Sequence, residues 1–376
     1  MGAMSGFRFV EIAGLGPAPF CGMMLADMGA EVIQIRRRTT GEAPLIDPAY
    51  DILNRGRIPL TLDLKSPADV AVVHELIGRA DGLIEGFRPG VMERLGLGPA
   101  VCLERNPGLI YGRITGWGQD GPLAERVGHD INYLGLSGAL SAIGRRDTGP
   151  VPPLNMVADF GGGGMLLVVG ILAALLEKQR SGRGQVVDAA MVDGCALQLS
   201  LIYSLKNMGA WCATRGSNML DGGAPFYDTY RCADGEYLAV GAIEAPFYKA
   251  LLAVCGIDDA IMQRQWDRSC WPQQKAILAE VFLRYSRDEW VERFAGIDAC
   301  VSPVLGLDEA PEDAHNRARR TYVQGDEGMQ PAAAPRFSRT PSALESGSED
   351  IVATLRRWGV SPALGERFGA LTTVES

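Results

Sequence analysis

Alternation of short apolar runs with helical segments over about the first 120 residues limits the fold more than any other feature of this chain. The runs FRFVEIA, EVIQI, GLIEG and GLIYGRITG have the composition of buried strands, and a helical stretch follows each of the first three. Such repeats predict an α/β fold with a mostly parallel, doubly wound sheet and helices on both faces. Ligands of such sheets bind beyond the carboxyl ends of the strands, so we expect a site there.

The pattern of predicted strands and helices changes near residue 220, where a smaller unit begins. The stretch FYDTYRCADGEYLAVGAI consists of two alternating runs joined at Asp234 and Gly235, which predicts a β-hairpin, and helical segments follow it. We therefore predict a large Rossmann-like domain and a small α+β domain. The predicted bounds are 1–190 for the large domain, completed by 325–376, then 191–220 for a linker, 221–310 for the small domain and 311–324 for a return linker.

Composition excludes several classes of function. The chain has 376 residues, of which 47% are hydrophobic and 22% charged, as in a soluble globular protein. Its net charge of −9 argues against a general binder of nucleic acid or anionic membranes, so a phosphate must be met by a local basic pocket.

The apolar run Met165–Leu176 is twelve residues long, too short to cross about 30 Å of hydrocarbon as a helix, and predicts a buried core helix. The scattered cysteines lack zinc or redox spacing, so we expect no metal. A secretory leader and a peroxisomal or ER address are not seen, so a cytoplasmic location is expected.

The turn after the first strand resembles a dinucleotide fingerprint only in part. Gly14 and Gly16 match its first two glycines, but Pro17 and Pro19 remove N–H groups that a pyrophosphate needs. A dinucleotide site also requires an acidic residue about 20 positions further on, where Arg36–Arg38 stand instead. This basic cluster suits a ribose phosphate, as in NADP or in the 3′-phospho-ADP of coenzyme A.

Three acidic or basic side chains are candidates for proton transfer. His129 precedes Asp130 at a loop-to-helix junction, a place where catalytic groups concentrate. Asp159 precedes the glycine run 161–164 at the start of the apolar helix; it serves either as a helix cap or beside a ligand that approaches the backbone closely. Glu244 ends the second hairpin strand, where a first-turn acid is also common.

Seven motifs in one order carry a resemblance: GLGP, ADGLIEGFRPGVMERLGLG, LIYGRITGWGQDGP, GHDINYLGLSG, ADFGGGGM, GQVVDAAMVDG and GGAPFYDTY. With them the chain resembles the α-methylacyl-CoA racemase family, within the superfamily of family III CoA-transferases, from about residue 6 to residue 340. The resemblance implies a large doubly wound domain closed by the C-terminal part, a small domain, and an interlocked homodimer that binds acyl-CoA between domains. It implies no cofactor beyond the CoA moiety of the substrate.

The resemblance also implies roles for the candidate residues. His129 and Asp159 are the two acid/base groups that interconvert (2R)- and (2S)-2-methylacyl-CoA through an enolate, and Glu244 supports the histidine. This chemistry suits the residue types, because each face of the inverted carbon needs its own proton donor and acceptor.

The family's CoA contacts fall on residues of five segments. They are Arg37, Leu62, Asp63, Leu64, Lys65, Gly86, Phe87, Arg88, Arg94, Gly128, Asp130, Ile131, Asn132 and Tyr133. Arg38 stands where the family pattern has a proline, which leaves open whether Arg36, Arg37 or Arg38 meets the phosphate.

Two other functions compete with a racemase. In a family III CoA-transferase, Asp159 is a nucleophile that takes the acyl group as a mixed anhydride. An acyl-CoA-binding protein without turnover needs neither Asp159 nor His129. The histidine favours the racemase, since the transferase route does not need a second acid/base group. The acyl chain stays open.

Overall fold

The computed structural model describes residues 1–37, 46–344 and 350–360, and these group into two compact units. The first unit comprises Met1–Ser137, Leu154–Gln198 and the chain from Arg319 onward. The second comprises Gly138–Pro153 and Leu199–Ala318. Residues 138–153 thus lie in the second unit, although the predicted bounds placed them in the large domain.

Six parallel strands form the sheet of the first unit. They are β1 (Arg8–Ile12), β2 (Glu31–Arg36), β3 (Arg57–Thr61), β4 (Gly82–Glu85), β5 (Ile110–Thr115) and β6 (Gln185–Ala190). Their order is β3-β2-β1-β4-β5-β6, and every neighbouring pair is parallel, so the prediction of a Rossmann-like α/β fold is confirmed. The strand order reverses between β1 and β4, and ligands of such sheets bind at that crevice.

Strand β3 was missed by the sequence analysis. Pro59 interrupts its apolar pattern, and proline removes a hydrogen-bond donor from a sheet. The residue is tolerated because β3 lies at the edge of the sheet.

The other five strands are short and belong to two antiparallel sheets: β7 (Tyr227–Arg231), β8 (Tyr237–Gly241) and β9 (Val301–Pro303) in the second unit, and β10 (Tyr322–Gly325) with β11 (Gly328–Pro331) in the first. The predicted hairpin is confirmed as β7 and β8, joined through Gly235 at φ 93°. This positive φ favours glycine.

The described α-helices are, in chain order, α1 (Pro17–Asp27), α2 (Pro67–Ile77), α3 (Val91–Arg94), α4 (Pro99–Arg105), α5 (Asp130–Ser137), α6 (Ala139–Ala142), α7 (Leu166–Ser181), α8 (Met191–Gln198), α9 (Ser200–Asn207), α10 (Ala245–Cys255), α11 (Trp271–Phe282), α12 (Arg287–Phe294), α13 (Ala314–Arg319) and α14 (Ile351–Arg357). A π-helix (Met156–Met165) runs directly into α7, and short 3₁₀ helices lie at Pro48–Tyr50, Ile52–Asn54, Ala260–Gln263 and Ala310–Glu312.

Helices cover both faces of the parallel sheet. One core contains buried side chains of α2, α4 and α14, and the other contains those of α1 and α7. The C-terminal segment contributes Trp358, whose indole N–H donates to Glu31 at 2.6 Å. The hairpin of β10 and β11 is held by Arg55, which donates to the Gln330 side chain and the Pro331 carbonyl. Strands β1, β2, β4 and β5 are therefore buried on both faces, as their continuous apolar sequences require.

The apolar helix is longer than predicted. Together the π-helix and α7 span Met156–Ser181, 26 residues, which by length and composition would reach across a membrane. The length argument made from twelve residues was therefore wrong, because the helix begins well upstream of Met165. Its buried side chains, among them Leu167 and Ile171, pack in the core with α1, and such burial is typical of a core helix.

Candidate active site

His129 lies in the turn that follows β5 and opens α5. Its carbonyl accepts the N–H of Asn132 at 2.8 Å, and its own N–H donates to the Asn132 side chain at 3.0 Å. The Tyr133 hydroxyl donates to the Gly128 carbonyl, and the Tyr133 ring packs edge-on against Trp117 with centroids 4.8 Å apart. The backbone of His129 is thus held on both sides, while its side chain is exposed.

Asp159 lies in the first turn of the π-helix and is half-buried. The glycine run 161–164 was interpreted as a place where a ligand could approach the backbone closely, with a simple helix cap at Asp159 as the alternative; within it, Gly163 and Gly164 lie against neighbouring helices. A Cβ on Gly163 would lie 2.8 Å from the Met191 side chain, and one on Gly164 would lie 2.7 Å from the Phe20 ring. The run therefore brings the π-helix into close contact with α1 and α8.

Asp130 joins the two candidate catalytic segments. Its carboxylate accepts the backbone N–H groups of Ala158 and Asp159, each at 2.9 Å, and the residue is 7% exposed. One buried side chain at the start of α5 therefore caps the start of the π-helix. This bond places His129 and Asp159 at adjacent helix N-termini. The sequence placed Asp130 among the expected CoA contacts but did not reveal this capping role.

The environment of Asp159 shifts its acidity. Burial first and the nearby Asp130 carboxylate second raise the pKa of Asp159 to about 6, against the opposing influence of Asn155 and His129. A carboxyl group with a pKa near neutrality accepts and returns protons readily, as general acid/base catalysis requires.

The glycine turn after β1 reaches the same site. Gly16 has φ 71°, a conformation that L side chains rarely adopt, and caps the start of α1. A Cβ at Gly16 would lie 3.3 Å from Oδ2 of Asp159. The turn that looked like an incomplete dinucleotide fingerprint therefore abuts a candidate catalytic carboxylate at the carboxyl end of β1, a proximity that the sequence did not reveal.

A cavity of about 420 Å³ lies beyond the end of β4. It is lined by Phe87, Arg88, Pro89, Val91, Arg94 and Glu125. Three predicted CoA contacts, Phe87, Arg88 and Arg94, thus meet in one place. Both arginines are exposed, and within the described part of the chain neither forms an ion pair, so their charges are available to an anion.

A second cavity of about 550 Å³ adjoins the first, since Pro89 and Glu125 line both. Its other walls come from the loop between β5 and α5: Gln119, Asp120, Gly121, Pro122, Ala124 and Arg126. Neither cavity is lined by His129 or Asp159.

The remaining predicted CoA contacts lie at the carboxyl end of the sheet. Arg37 follows β2 and is exposed, the Arg36 guanidinium donates to Gln34, and Arg38 lies outside the described residues. Residues 62–65 form the turn from β3 to α2, Gly86 follows β4, and Gly128 to Tyr133 surround the start of α5. The side chains of Leu62 and Tyr133 are buried, so contacts from these two positions fall to the backbone.

Glu244 lies in the second unit. It precedes α10, is exposed, and makes no side-chain capping bond there. It lies near Cys300, where burial first and the Glu244 charge second raise the pKa of the thiol. Support of His129 by Glu244 stays a prediction, because His129 belongs to the other unit. Across residues 1–37, 46–344 and 350–360, no group of three or more metal-ligating side chains is found.

Comparison with known proteins gives a consistent picture. Residues 4–348 match the family described as CoA-transferase family III. The alpha-methylacyl-CoA racemase of Mus musculus is 48% identical over 95% of this chain and 94% of its own length. That of Homo sapiens is 46% identical over 90% of this chain and 88% of its own.

A more distant relative and a solved structure extend this comparison. A succinyl-CoA--D-citramalate CoA-transferase of Chloroflexus aurantiacus is 29% identical over 90% of this chain and 88% of its own length. The crystal structure of a CAIB/BAIF family protein from Brucella suis has a TM-score of 0.81 at 25% identity, covering 95% of this chain and 99% of that one.

Proposed function

The chain belongs to CoA-transferase family III, and on this premise we propose that it racemises 2-methylacyl-CoA thioesters. The reaction interconverts the (2R) and (2S) epimers by 1,1-proton transfer. Similarity to the racemases of Mus musculus and Homo sapiens along most of the chain supports the proposal. The observation that carries it is the placement of His129 and Asp159 at adjacent helix N-termini, joined through Asp130.

The chemistry follows from this placement. One group removes the proton on the carbon α to the thioester, the C–H electron pair moves into an enolate, and the other group returns a proton to the opposite face. With a pKa of about 6, Asp159 is mostly ionised at neutral pH and ready to act as the base, while His129 donates. The roles exchange for the other epimer.

Charge develops on the thioester oxygen as the enolate forms. We assign its stabilisation to the first N–H groups of α5, at Asp130 and Ile131, because a helix start carries unsatisfied donors and a partial positive charge. Glu244 is assigned the role of holding the imidazole tautomer of His129.

Binding of the CoA moiety is assigned to the carboxyl end of the sheet. Arg88 and Arg94, whose charges are unpaired within the described residues, line the cavity after β4 and suit phosphate groups. Arg37 and the 62–65 turn lie at the ends of neighbouring strands and extend this surface.

We also propose a cytoplasmic homodimer that needs no cofactor beyond the CoA of its substrate. A dimer is supported by exposed apolar side chains on α7 and α9, because their burial in an interface would lower the free energy. They include Val169, Leu176, Leu201 and Tyr203.

A CoA-transferase is the competing function. It is favoured by the half-buried Asp159, which would serve as a nucleophile, and by the relative from Chloroflexus aurantiacus. It gives no role to His129, and this difference separates the two functions.

The test replaces each acid/base group without changing its size greatly. In His129→Gln and Asp159→Asn we expect the racemisation of a pure epimer, which is measured by chiral analysis, to be lost. We expect both variants still to bind free CoA, which is measured by calorimetry. His315→Gln and Asp193→Asn are matched controls at exposed positions. Near-normal racemisation in either site variant contradicts the two-base assignment. CoA transfer to a carboxylate that survives His129→Gln but not Asp159→Asn favours the transferase.

A further inference from the structure

Arg113 is a buried cation in the middle of the sheet. It lies on β5, is 5% exposed, and stands directly opposite Glu85 on β4. Its Nε donates to Glu85 Oε1 at 2.8 Å, and its two terminal nitrogens donate to the carboxylate oxygens of Glu93 at 2.9 and 3.3 Å. One guanidinium therefore bridges two carboxylates, a geometry that its planar fork allows and an ammonium group does not.

The first carboxylate orients the loop after β4. Glu85 is fully buried, and its second oxygen accepts the backbone N–H of Phe87 at 2.7 Å. Arg88 is the next residue along the chain. The side chain of Arg113 thus fixes, through Glu85, the backbone from which Arg88 projects into its cavity.

The second carboxylate orients α3. This helix is four residues long, and so short a helix has no stability of its own, so its position depends on contacts with the rest of the protein. Glu93 ties it to Arg113, and Arg94 is the adjacent residue. Arg88 and Arg94 are therefore each adjacent in sequence to a residue that Glu85 or Arg113 holds in place, Phe87 and Glu93 respectively.

We infer that Arg113 is a positioning residue that sets the spacing of Arg88 and Arg94 for the phosphates of the CoA thioester without touching it. The inference rests on the proposed function for the identity of the ligand. Arg113 was not among the predicted site residues. Loss of its bridge leaves both cations present but free to move, so the protein pays more ordering entropy on binding the phosphates and binds them less tightly.

The experiment separates positioning from a purely structural role. Arg113→Lys keeps the charge but not the fork. Glu93→Gln keeps Arg113 and Glu85 and releases only α3; because the Glu93 side chain is 44% exposed, we expect this variant to fold. Glu75→Gln on α2, which removes another ion pair of the first unit, with Arg79, is the matched control.

For each variant, calorimetry measures the Kd of free CoA and of 3′-dephospho-CoA. Steady-state kinetics with a 2-methylacyl-CoA measure kcat and KM. We expect Kd and KM to rise about three- to tenfold in Glu93→Gln and Arg113→Lys, with kcat within about twofold of the parent. Glu75→Gln should match the parent. Parental CoA affinity in Glu93→Gln, or an equal fall in kcat, overturns the inference. Normal CoA binding without racemisation by the parent protein rejects the proposed reaction and leaves the inference standing.

Discussion

Asp130→Asn isolates the charge of the side chain that joins the two candidate catalytic segments. The asparagine oxygen still accepts the N–H groups of Ala158 and Asp159, so the cap of the π-helix is kept. A hydrogen bond to a charged acceptor contributes about 1.5–3 kcal/mol and a neutral one about 1 kcal/mol, so for the two bonds together we expect the free energy of unfolding to fall by about 1–4 kcal/mol.

A second effect falls on the acidity of Asp159. Burial is the main reason that its pKa is about 6 and persists in the variant, whereas the contribution of the Asp130 charge disappears. The pKa of Asp159 therefore falls but stays above its ordinary value of 3.8. Because Asp159 must be ionised to act as base, activity declines as pH drops through this pKa, and the decline moves to lower pH in the variant.

The assay is kcat/KM against pH, with the epimer whose proton Asp159 removes. Asp193→Asn, at an exposed position on α8, controls for the loss of one negative charge. If the fall of kcat/KM at low pH occurs at the same pH in Asp130→Asn as in the parent, the electrostatic coupling between Asp130 and Asp159 is refuted. If the fall of kcat/KM moves to lower pH by the same amount in Asp193→Asn, the shift does not originate specifically from the Asp130 charge.

The same coupling has a consequence for stability. Since the folded protein raises the pKa of Asp159 from 3.8 to about 6, it binds more protons than the unfolded chain between these pH values. The free energy of unfolding should therefore fall as pH rises through this window, and fall less in Asp130→Asn. Equal slopes in the two proteins would contradict this.

Two further substitutions test the frame around the site. Gly16→Ala holds an alanine at a positive φ, which costs about 1–3 kcal/mol of strain, and places a Cβ 3.3 Å from the Asp159 carboxylate. We expect kcat to fall at least about tenfold, and a parental kcat would contradict this close approach. Trp358→Ala removes a side chain that is 2% exposed and bonded to Glu31; we expect about 3–5 kcal/mol of destabilisation in denaturant unfolding, and an unchanged midpoint would contradict the anchoring of the C-terminal segment.

The sequence predicted the strands that are apolar throughout and the hairpin at Gly235, because these follow from local patterns. It missed β3, since an edge strand with Pro59 shows a weak pattern. It located the long helix from the apolar run Met165–Leu176, whereas the π-helix begins at Met156, and no local signal distinguishes a π-turn from an α-turn.

The candidate catalytic residues could be named from the sequence, but their connections could not. The bond from Asp130 to the backbone of Asp159 spans 29 residues, and it depends on how two helices pack. The pair of Glu85 and Arg113 had a usable signal: opposite charges in two otherwise apolar strands predict a buried cross-strand pair.

The most direct test of the proposed reaction is proton exchange at the α carbon. A single epimer of a 2-methylacyl-CoA is incubated with the protein in D₂O, without any acceptor carboxylate, and followed by mass spectrometry and chiral analysis. We expect deuterium to enter the α position while the sample drifts toward both epimers. Absence of exchange, with CoA transfer only after a carboxylate is added, would contradict racemisation.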